Sequence, residues 1–208
     1  MPNLDLRVED VSHPGSRLFL ENVSPADALR DAVATVNNWL YTLQDAPTNV
    51  QNVLLVLRPM PGVAYSTGSH THKEIHLSAG HVQNNATRVR DEIRGVLTHE
   101  MVHCYQYNAK GTCPSGLIEG IADWVRLHAG LAPPHWKEGR GTKWDAGYES
   151  TAYFLEWIEQ QSGRGTVRNL NLGMKDVPYK ESIFKDLTGS SVDELWRLYK
   201  LDLETRAR

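Results

Sequence analysis

The segment Leu97–His103 reads LTHEMVH, in which two histidines and a glutamate have the spacing of a metal site. His99 and His103 are four residues apart, so on a helix both imidazoles project from the same face. Two neutral imidazoles held in this way supply half of a tetrahedral zinc site. Glu100 lies at the edge of that face, where its carboxylate can take a proton from a metal-activated water. The segment therefore predicts one catalytic Zn²⁺ ion with Glu100 as the general base.

A catalytic zinc needs a third protein ligand, and the sequence offers two carboxylates for that role. A third histidine six residues after His103 is excluded because that position is Ala109. The next predicted helix, Gly116–Ala129, contains Glu119 and, four residues later on the same face, Asp123. We assign Glu119 to the metal and Asp123 to a hydrogen bond that orients a ligand histidine. The reverse assignment, with Asp123 as the metal ligand, stays open.

The elements that must position these residues are strands in the first half of the chain and helices in the second. Short strands are predicted at Arg17–Glu21, Val50–Arg58, Val63–Thr67 and Glu74–Ser78. A helix is predicted to begin at Ser24–Pro25, with an apolar face that extends from Leu29 to Leu43. Further helices are predicted at Val89–Tyr107, Gly116–Ala129, Tyr148–Gln161 and Val192–Leu203. This order predicts an α+β fold with a small N-terminal mixed sheet, an active-site helix and a helical C-terminal half.

The length of 208 residues, without repeats or a long linker, predicts a single domain over residues 1–208. We expect an α/β lobe over about 1–110 and a helical lobe over about 111–208, with the active-site cleft between them. The HExxH helix should form the floor of that cleft.

Composition excludes several classes of partner. Lys and Arg total 22 against 25 Asp and Glu, a formal net charge of −3, so we expect no nucleic acid partner. No apolar run has the length of a membrane span, so we expect no membrane partner. We also expect a monomer. The opening MPNLDLRVED has neither the basic segment nor the apolar core of a signal peptide. We therefore expect a cytoplasmic protein if Met1 is the natural start, and a secreted one if the chain is a mature form.

Three ordered stretches resemble a known family: HEMVHCYQ, GLIEGIADWVRLHAGLAPPHW and KWDAGYESTAYFLEW. An HExxH followed by an EGxAD helix is similar to the gluzincin clan of zinc peptidases, which includes thermolysin and the aminopeptidase N type. The three stretches together closely resemble the plant basic secretory protein family, in a form that looks fungal. The likeness extends weakly upstream through VAYSTGSHTHKEIHLSAGHV and downstream to SVDELWRLYK, and so covers nearly the whole chain.

This resemblance implies a zincin-like, zinc-dependent peptidase domain. The family's ligands fall on His99, His103 and Glu119, and its catalytic acid/base falls on Glu100. The chain departs from the family's name in one respect, because the name implies a basic, secreted protein and this chain is mildly acidic.

Other residues have supporting roles in this interpretation. Hydrolysis through a tetrahedral intermediate needs a donor aimed at the oxyanion, and Tyr148 is the first candidate, with His135 the second. His76 and His135 are predicted to contact substrate, and Lys73–Ser78 is predicted to be an edge strand that pairs with an extended peptide. His70, His72 and His81 are expected in solvated loops.

The two cysteines allow two interpretations. Cys104 follows a zinc ligand, and Cys113 lies in the turn before the Glu119 helix. A disulfide between them would clamp the two ligand-bearing helices together, whereas two free thiols are equally compatible with the sequence.

The sequence thus predicts a zinc metallopeptidase of gluzincin type that acts on a peptide or protein substrate, with Glu100 passing a proton from water to the leaving amine. One alternative is a catalytically silent, zinc-containing module that binds peptides. Another is a zinc hydrolase that acts on a glycopeptide or a non-peptide amide.

Overall fold

The structure is a computed structural model, and it describes residues 1–207. The strands are β1 Asn3–Val8, β2 Asn52–Arg58, β3 Ala64–Gly68 and β4 His72–Ser78. The helices in the first half are α1 Pro14–Asn22, α2 Pro25–Leu40, α3 Ala79–Asn84 and α4 Val89–Tyr105. Those in the second half are α5 Ser115–His128, α6 Tyr148–Ser162, α7 Thr166–Gly173, α8 Ser182–Thr188 and α9 Val192–Arg206. The predicted α+β class, with a small mixed sheet at the N-terminus, is confirmed.

The sheet has the strand order β1-β2-β4-β3. β1 and β4 both pair with β2 in parallel, and β3 pairs antiparallel with β4, with Tyr65 opposite His76. The prediction that Lys73–Ser78 forms an edge strand is therefore wrong, because β4 lies inside the sheet. The edge strand on that side is β3, which also contacts α4.

The segment Arg17–Glu21, predicted as a strand, is part of the helix α1. His13 begins this helix by accepting a hydrogen bond from the Gly15 backbone N–H at its Nδ1 atom, 3.0 Å away. Pro14, at the first helical position, has a fixed φ that suits a helix start. The alternation of polar and apolar residues over Arg17–Glu21 is too short to distinguish a strand from a helix. The capping residue His13 and the following Pro14 indicate a helix.

Helix α2 ends earlier than its apolar pattern predicts. Its last residue is Leu40, and Leu43 lies outside the helix and is fully exposed. β1 was not predicted, and it forms the other edge of the sheet.

Helices α4 and α5 have nearly the predicted bounds and carry the residues of the HExxH and EGxAD segments. α4 is central, since it contacts α1, α2, α3, α5, β3 and β4. α5 packs between α4 and α6, and Gly120 permits its close approach to α6. A Cβ at residue 120 would lie 2.2 Å from Cγ2 of Thr151.

One cluster of buried apolar side chains extends from Phe19 in α1 to Tyr199 in α9. The single domain itself stays a prediction. Within residues 1–207, no helix combines the length and the apolar character that a bilayer span requires.

Candidate metal centre and active site

The structure brings His99, His103 and Glu119 together between α4 and α5. The Nε2 atoms of the two histidines lie 3.0 Å apart. Oε2 of Glu119 lies 3.1 Å from Nε2 of His99 and 3.5 Å from Nε2 of His103. These three residues form a group that could hold a metal ion.

The spacing of this group fits a tetrahedral ion. Ligand atoms about 2.1 Å from such an ion lie about 3.4 Å from one another, which the three separations above bracket. Two imidazole nitrogens and one carboxylate oxygen are also a donor set found in metal sites that keep one position open. His99, His103 and Glu119 therefore fit a metal without rearrangement of the two helices.

Asp123 orients His99 from the side away from this group. Nδ1 of His99 donates to Oδ1 of Asp123 over 2.7 Å, which directs its Nε2 toward His103 and Glu119. Burial of His99 disfavours its charged form, but the hydrogen bonds to Asp123 and Glu119 outweigh burial and raise its pKa to about 9. A ligand histidine commonly donates its second N–H to a carboxylate in this way.

Gln106 contacts Nδ1 of His103 as Asp123 contacts Nδ1 of His99, and sequence reasoning missed this contact. Its side-chain amide nitrogen lies 2.7 Å from Nδ1 of His103. Gln106 follows His103 by three residues, so helical spacing could have placed it on the same face.

Glu100 lies beside the metal group and is almost fully buried, with 6% of its surface exposed. Burial raises the pKa of its carboxyl, and the charges of His99 and His103 only partly oppose that shift. Its Oε2 atom is buried and has no hydrogen-bond partner within residues 1–207. Such an oxygen is costly unless something else satisfies it, and Glu100 lines the cavity where water can enter.

Tyr148 is placed next to the group at the start of α6. Its ring lies parallel to the His99 imidazole, with 6.3 Å between the ring centres, and the residue is 55% exposed. The negative charge of Glu119, and then burial, raise the pKa of its hydroxyl, which keeps the hydroxyl a donor. The backbone φ of Tyr148 is +48°, an unfavourable value for a residue with a side chain.

The turn before Tyr148 is held in place from two sides. Thr151 accepts a hydrogen bond from the Gly147 N–H at 2.9 Å and donates to the Trp144 carbonyl at 2.8 Å. Gly116 of α5 packs directly on this turn, since a Cβ there would lie 1.9 Å from the Asp145 carbonyl oxygen. These contacts position Tyr148 against the metal group.

A cavity of about 860 Å³ opens over the group. Its walls include β3, both ligand-bearing helices and the loop after α5. The residues that line it include Val63, Ser66, His81, Glu92, Val96, His99, Glu100, His103, Gln106, Glu119, Asp123, Arg126, His135, Trp136 and Tyr148.

The two histidines predicted to contact substrate are placed differently. His135 is exposed and lines the cavity. His76 is buried in β4, where it stacks on Tyr65 with 4.6 Å between ring centres and contacts Glu74 at 3.0 Å. The residues that line the cavity do not include His76.

His81 is not in a solvated loop. It lies in α3, and its Nε2 atom is 3.0 Å from Oε1 of Glu92, which lines the cavity. The expectation of exposure holds for His70 and His72, although His72 begins β4.

Both cysteines are free thiols in the structure. Burial raises the pKa of Cys104 and of Cys113 to about 12. Neither thiol is therefore ionised near neutral pH. Of the two interpretations of the sequence, free thiols rather than a disulfide describe the structure.

Comparison with known proteins identifies the family. A model of the family BSP, described as "Peptidase of plants and bacteria", matches residues 1–199. No curated protein and no solved structure matches the chain significantly. The match covers the sheet, the metal group, the cavity walls and most of α9, and the chain therefore belongs to this family of peptidases, as its resemblance to the basic secretory proteins predicted.

Proposed function

We propose that the protein is a zinc-dependent metallopeptidase that hydrolyses peptide bonds, with His99, His103 and Glu119 as metal ligands and Glu100 as the general base. The observation that carries this proposal is the buried Oε2 of Glu100, which has no partner within residues 1–207 and lies beside the metal group. A metal site that served structure alone would not need a carboxylate in this position.

The donor set supports zinc as the metal ion. Two imidazoles and a carboxylate, with room for one further ligand, are typical of catalytic zinc. Zinc held there would supply Lewis-acid chemistry, which lowers the pKa of water and polarises a carbonyl group.

The chain's own residues supply the proton transfers and the orientation of the substrate. Glu100 accepts a proton from the attacking water, and its raised pKa makes the carboxylate a stronger base for this step. The protonated Glu100 then passes that proton to the leaving amine. The Tyr148 hydroxyl donates a hydrogen bond to the developing oxyanion. An extended peptide pairs with the free edge of β3, which borders the cavity.

The test is the Glu100→Gln variant, with Glu21→Gln on the exposed surface of α1 as the matched control. Glu100→Gln should bind zinc stoichiometrically but lose hydrolysis of a peptide mixture by about a hundredfold or more, whereas Glu21→Gln should retain it. Mass spectrometry of the products measures hydrolysis, and elemental analysis measures zinc. Full zinc occupancy with undiminished hydrolysis in Glu100→Gln would refute the mechanism.

Tyr148→Phe separates the role of the hydroxyl from that of the ring. Loss of one oxyanion donor should lower kcat by about a hundredfold with little change in KM. An unchanged kcat would transfer the donor role to His135, the second candidate.

A further inference from the structure

The far end of the cavity contains a second polar group, two helical turns away from the metal residues. Glu92 precedes His99 by seven residues in α4, and Arg126 follows Glu119 by seven residues in α5. Two turns correspond to about 10 Å along each helix axis. The helices are antiparallel, so the two residues meet, with Nη2 of Arg126 3.4 Å from Oε2 of Glu92.

Arg126 is built into the cavity wall. Its side chain is 9% exposed, its Nε donates to the Leu131 carbonyl at 3.1 Å, and its guanidinium lies over the Trp136 ring at 5.3 Å. Gly95 of α4 makes room for it, since a Cβ there would lie 2.6 Å from Nε. Within residues 1–207, Nη1 makes no protein hydrogen bond and is not fully buried, and Arg126 lines the cavity.

Arg126 shares its carboxylate partner, Glu92, with two other groups. Glu92 already contacts Arg88 at 2.7 Å and His81 at 3.0 Å, in addition to Arg126. One carboxylate therefore faces two guanidinium groups. Asp123 is also near Arg126, but its Oδ1 atom accepts a hydrogen bond from His99. A buried guanidinium with a free N–H is suited to bind a carboxylate.

The direction of β3 shows which part of a substrate reaches this end. The Val63 carbonyl, just before β3, accepts a hydrogen bond from the Ser78 N–H at 2.9 Å, and Ser78 caps the helix that carries His81. Ser66, three residues later, lies beside Glu100. β3 thus runs from the Arg126 end toward the metal group. A peptide that pairs antiparallel with β3 has its C-terminal side toward Arg126.

We propose that Arg126 and Trp136 form a subsite for a carboxylate on the C-terminal side of the scissile bond. The carboxylate is an Asp or Glu side chain, or the C-terminus of a short substrate. Because an extended chain advances about 3.3 Å per residue, it belongs to one of the first three residues after the cleaved bond. Val96 and Trp136 supply apolar contact for the carbon chain that carries the carboxylate. This proposal rests on the proposed peptidase function.

The experiment uses a peptide that the protein cleaves, prepared in three forms. One has Glu within the three residues after the scissile bond and an amidated C-terminus. The second has Gln at that position and is amidated, and the third has Gln and a free C-terminal carboxylate. At least one acidic form should be cleaved with a kcat/KM about tenfold or more above the neutral form, as one charge-assisted hydrogen bond would give. The preferred form shows whether the carboxylate is a side chain or the C-terminus. Equal kcat/KM values for the three peptides would overturn the subsite.

Variants of two arginines make the test specific. Arg126→Met should abolish the preference, so that the acidic and neutral forms are cleaved at the same kcat/KM. Arg88→Met is the matched control, because Arg88 also pairs with Glu92 but does not line the cavity, and it should keep the preference. If Arg126→Met does not fold, Arg126→Lys keeps the charge but lacks the planar guanidinium that contacts Leu131, Glu92 and the substrate at once, and it should weaken the preference. A preference that survives both Arg126 variants overturns the assignment.

Failure of the subsite and failure of the peptidase function give different results. If the wild type cleaves the peptides without an acidic preference, only the subsite is wrong. If no peptide is cleaved, the peptidase function fails, and binding of the same three peptides to the Glu100→Gln variant decides the subsite. Tighter binding of an acidic form that is lost in Glu100→Gln/Arg126→Met supports it, and equal binding overturns it.

Discussion

The side-chain amide of Gln106 lies 2.7 Å from Nδ1 of His103, one turn beyond the HExxH segment. As placed, the amide N–H donates to Nδ1, and the Gln106 Oε1 atom is buried without a partner within residues 1–207. In this state Nε2 of His103 carries the proton and donates to Glu119. A metal held at Nε2 would leave the proton on Nδ1, and a 180° rotation of the amide would then present Oε1 to accept it. Gln106 can therefore satisfy His103 in both states, which a carboxylate cannot do.

Gln106→Leu should weaken zinc binding by about 10–100-fold, because His103 then lacks the acceptor that orients it. Gln106→Glu should restore much of the affinity, since its carboxylate accepts from Nδ1–H. Competition with a chromophoric chelator measures both. Gln161→Leu, at an exposed position of α6, is the control for the same substitution. Equal affinities for Gln106→Leu and Gln161→Leu would contradict this role.

Glu119 and Asp123 should differ sharply in their effects on the metal. Oε2 of Glu119 is close to both imidazole Nε2 atoms, whereas Asp123 contacts only the opposite nitrogen of His99. Glu119→Ala should therefore abolish tight zinc binding, and Asp123→Ala should weaken it about 10–100-fold. Calorimetric titration of metal-free protein measures both zinc affinities. Glu204→Ala, at an exposed position of α9, is the control. The reverse order would make Asp123 the ligand.

Gly116 should matter for both stability and activity. A Cβ at residue 116 would overlap the Asp145 carbonyl, which belongs to backbone and cannot rotate away. Gly116→Ala should lower the free energy of unfolding by about 1–3 kcal/mol and reduce kcat by displacing Tyr148. Gly80→Ala in α3 is the matched control, since its Cβ would meet only Ser78 Oγ at 3.6 Å. Urea unfolding and peptide hydrolysis measure the two effects, and equal behaviour of the two variants would contradict the packing argument.

The parts of the site that sequence reasoning predicted depend on spacing within one helix. HExxH and EGxAD fix which side chains share a face, and the bounds of α4 and α5 differ from prediction by two residues or fewer. The same spacing relates Gln106 to His103, but only carboxylates were considered for orienting a ligand histidine. Helical periodicity shows which residues are neighbours, but it does not show what chemical role each of them has.

The features that were mispredicted depend on contacts between distant segments. Whether Lys73–Ser78 is an edge or a central strand depends on the position of β3 and β2 in the sheet, which no local pattern specifies. His76 was predicted to face the cleft from its alternation with Ile75 and Leu77, but alternation gives only the two faces of a strand. His81 was predicted to be solvated, and its partner Glu92, eleven residues away in another helix, could not be identified from the local sequence.

Glu92 should make the stability of the metal-free protein depend on pH. Burial alone would raise its pKa, but His81, Arg126 and Arg88 outweigh burial and lower it from 4.5 to about 2. A carboxyl whose pKa is lower in the folded than in the unfolded state stabilises the fold when ionised. This contribution is fully present above about pH 4.5 and is lost as the pH falls toward 2.

Removing the carboxylate isolates this contribution. Glu92→Gln should lower the free energy of unfolding by about 3 kcal/mol near neutral pH, because it leaves Arg126 and Arg88 without their buried partner. The difference from wild type should shrink as the pH falls from 4.5 toward 2, where the wild-type carboxyl also becomes neutral. Urea unfolding monitored by tryptophan fluorescence, in the presence of a chelator, gives the difference at each pH. The exposed Glu21→Gln control should follow the wild type, and a difference for Glu92→Gln that does not change with pH would show that the lost contact acts through packing rather than charge.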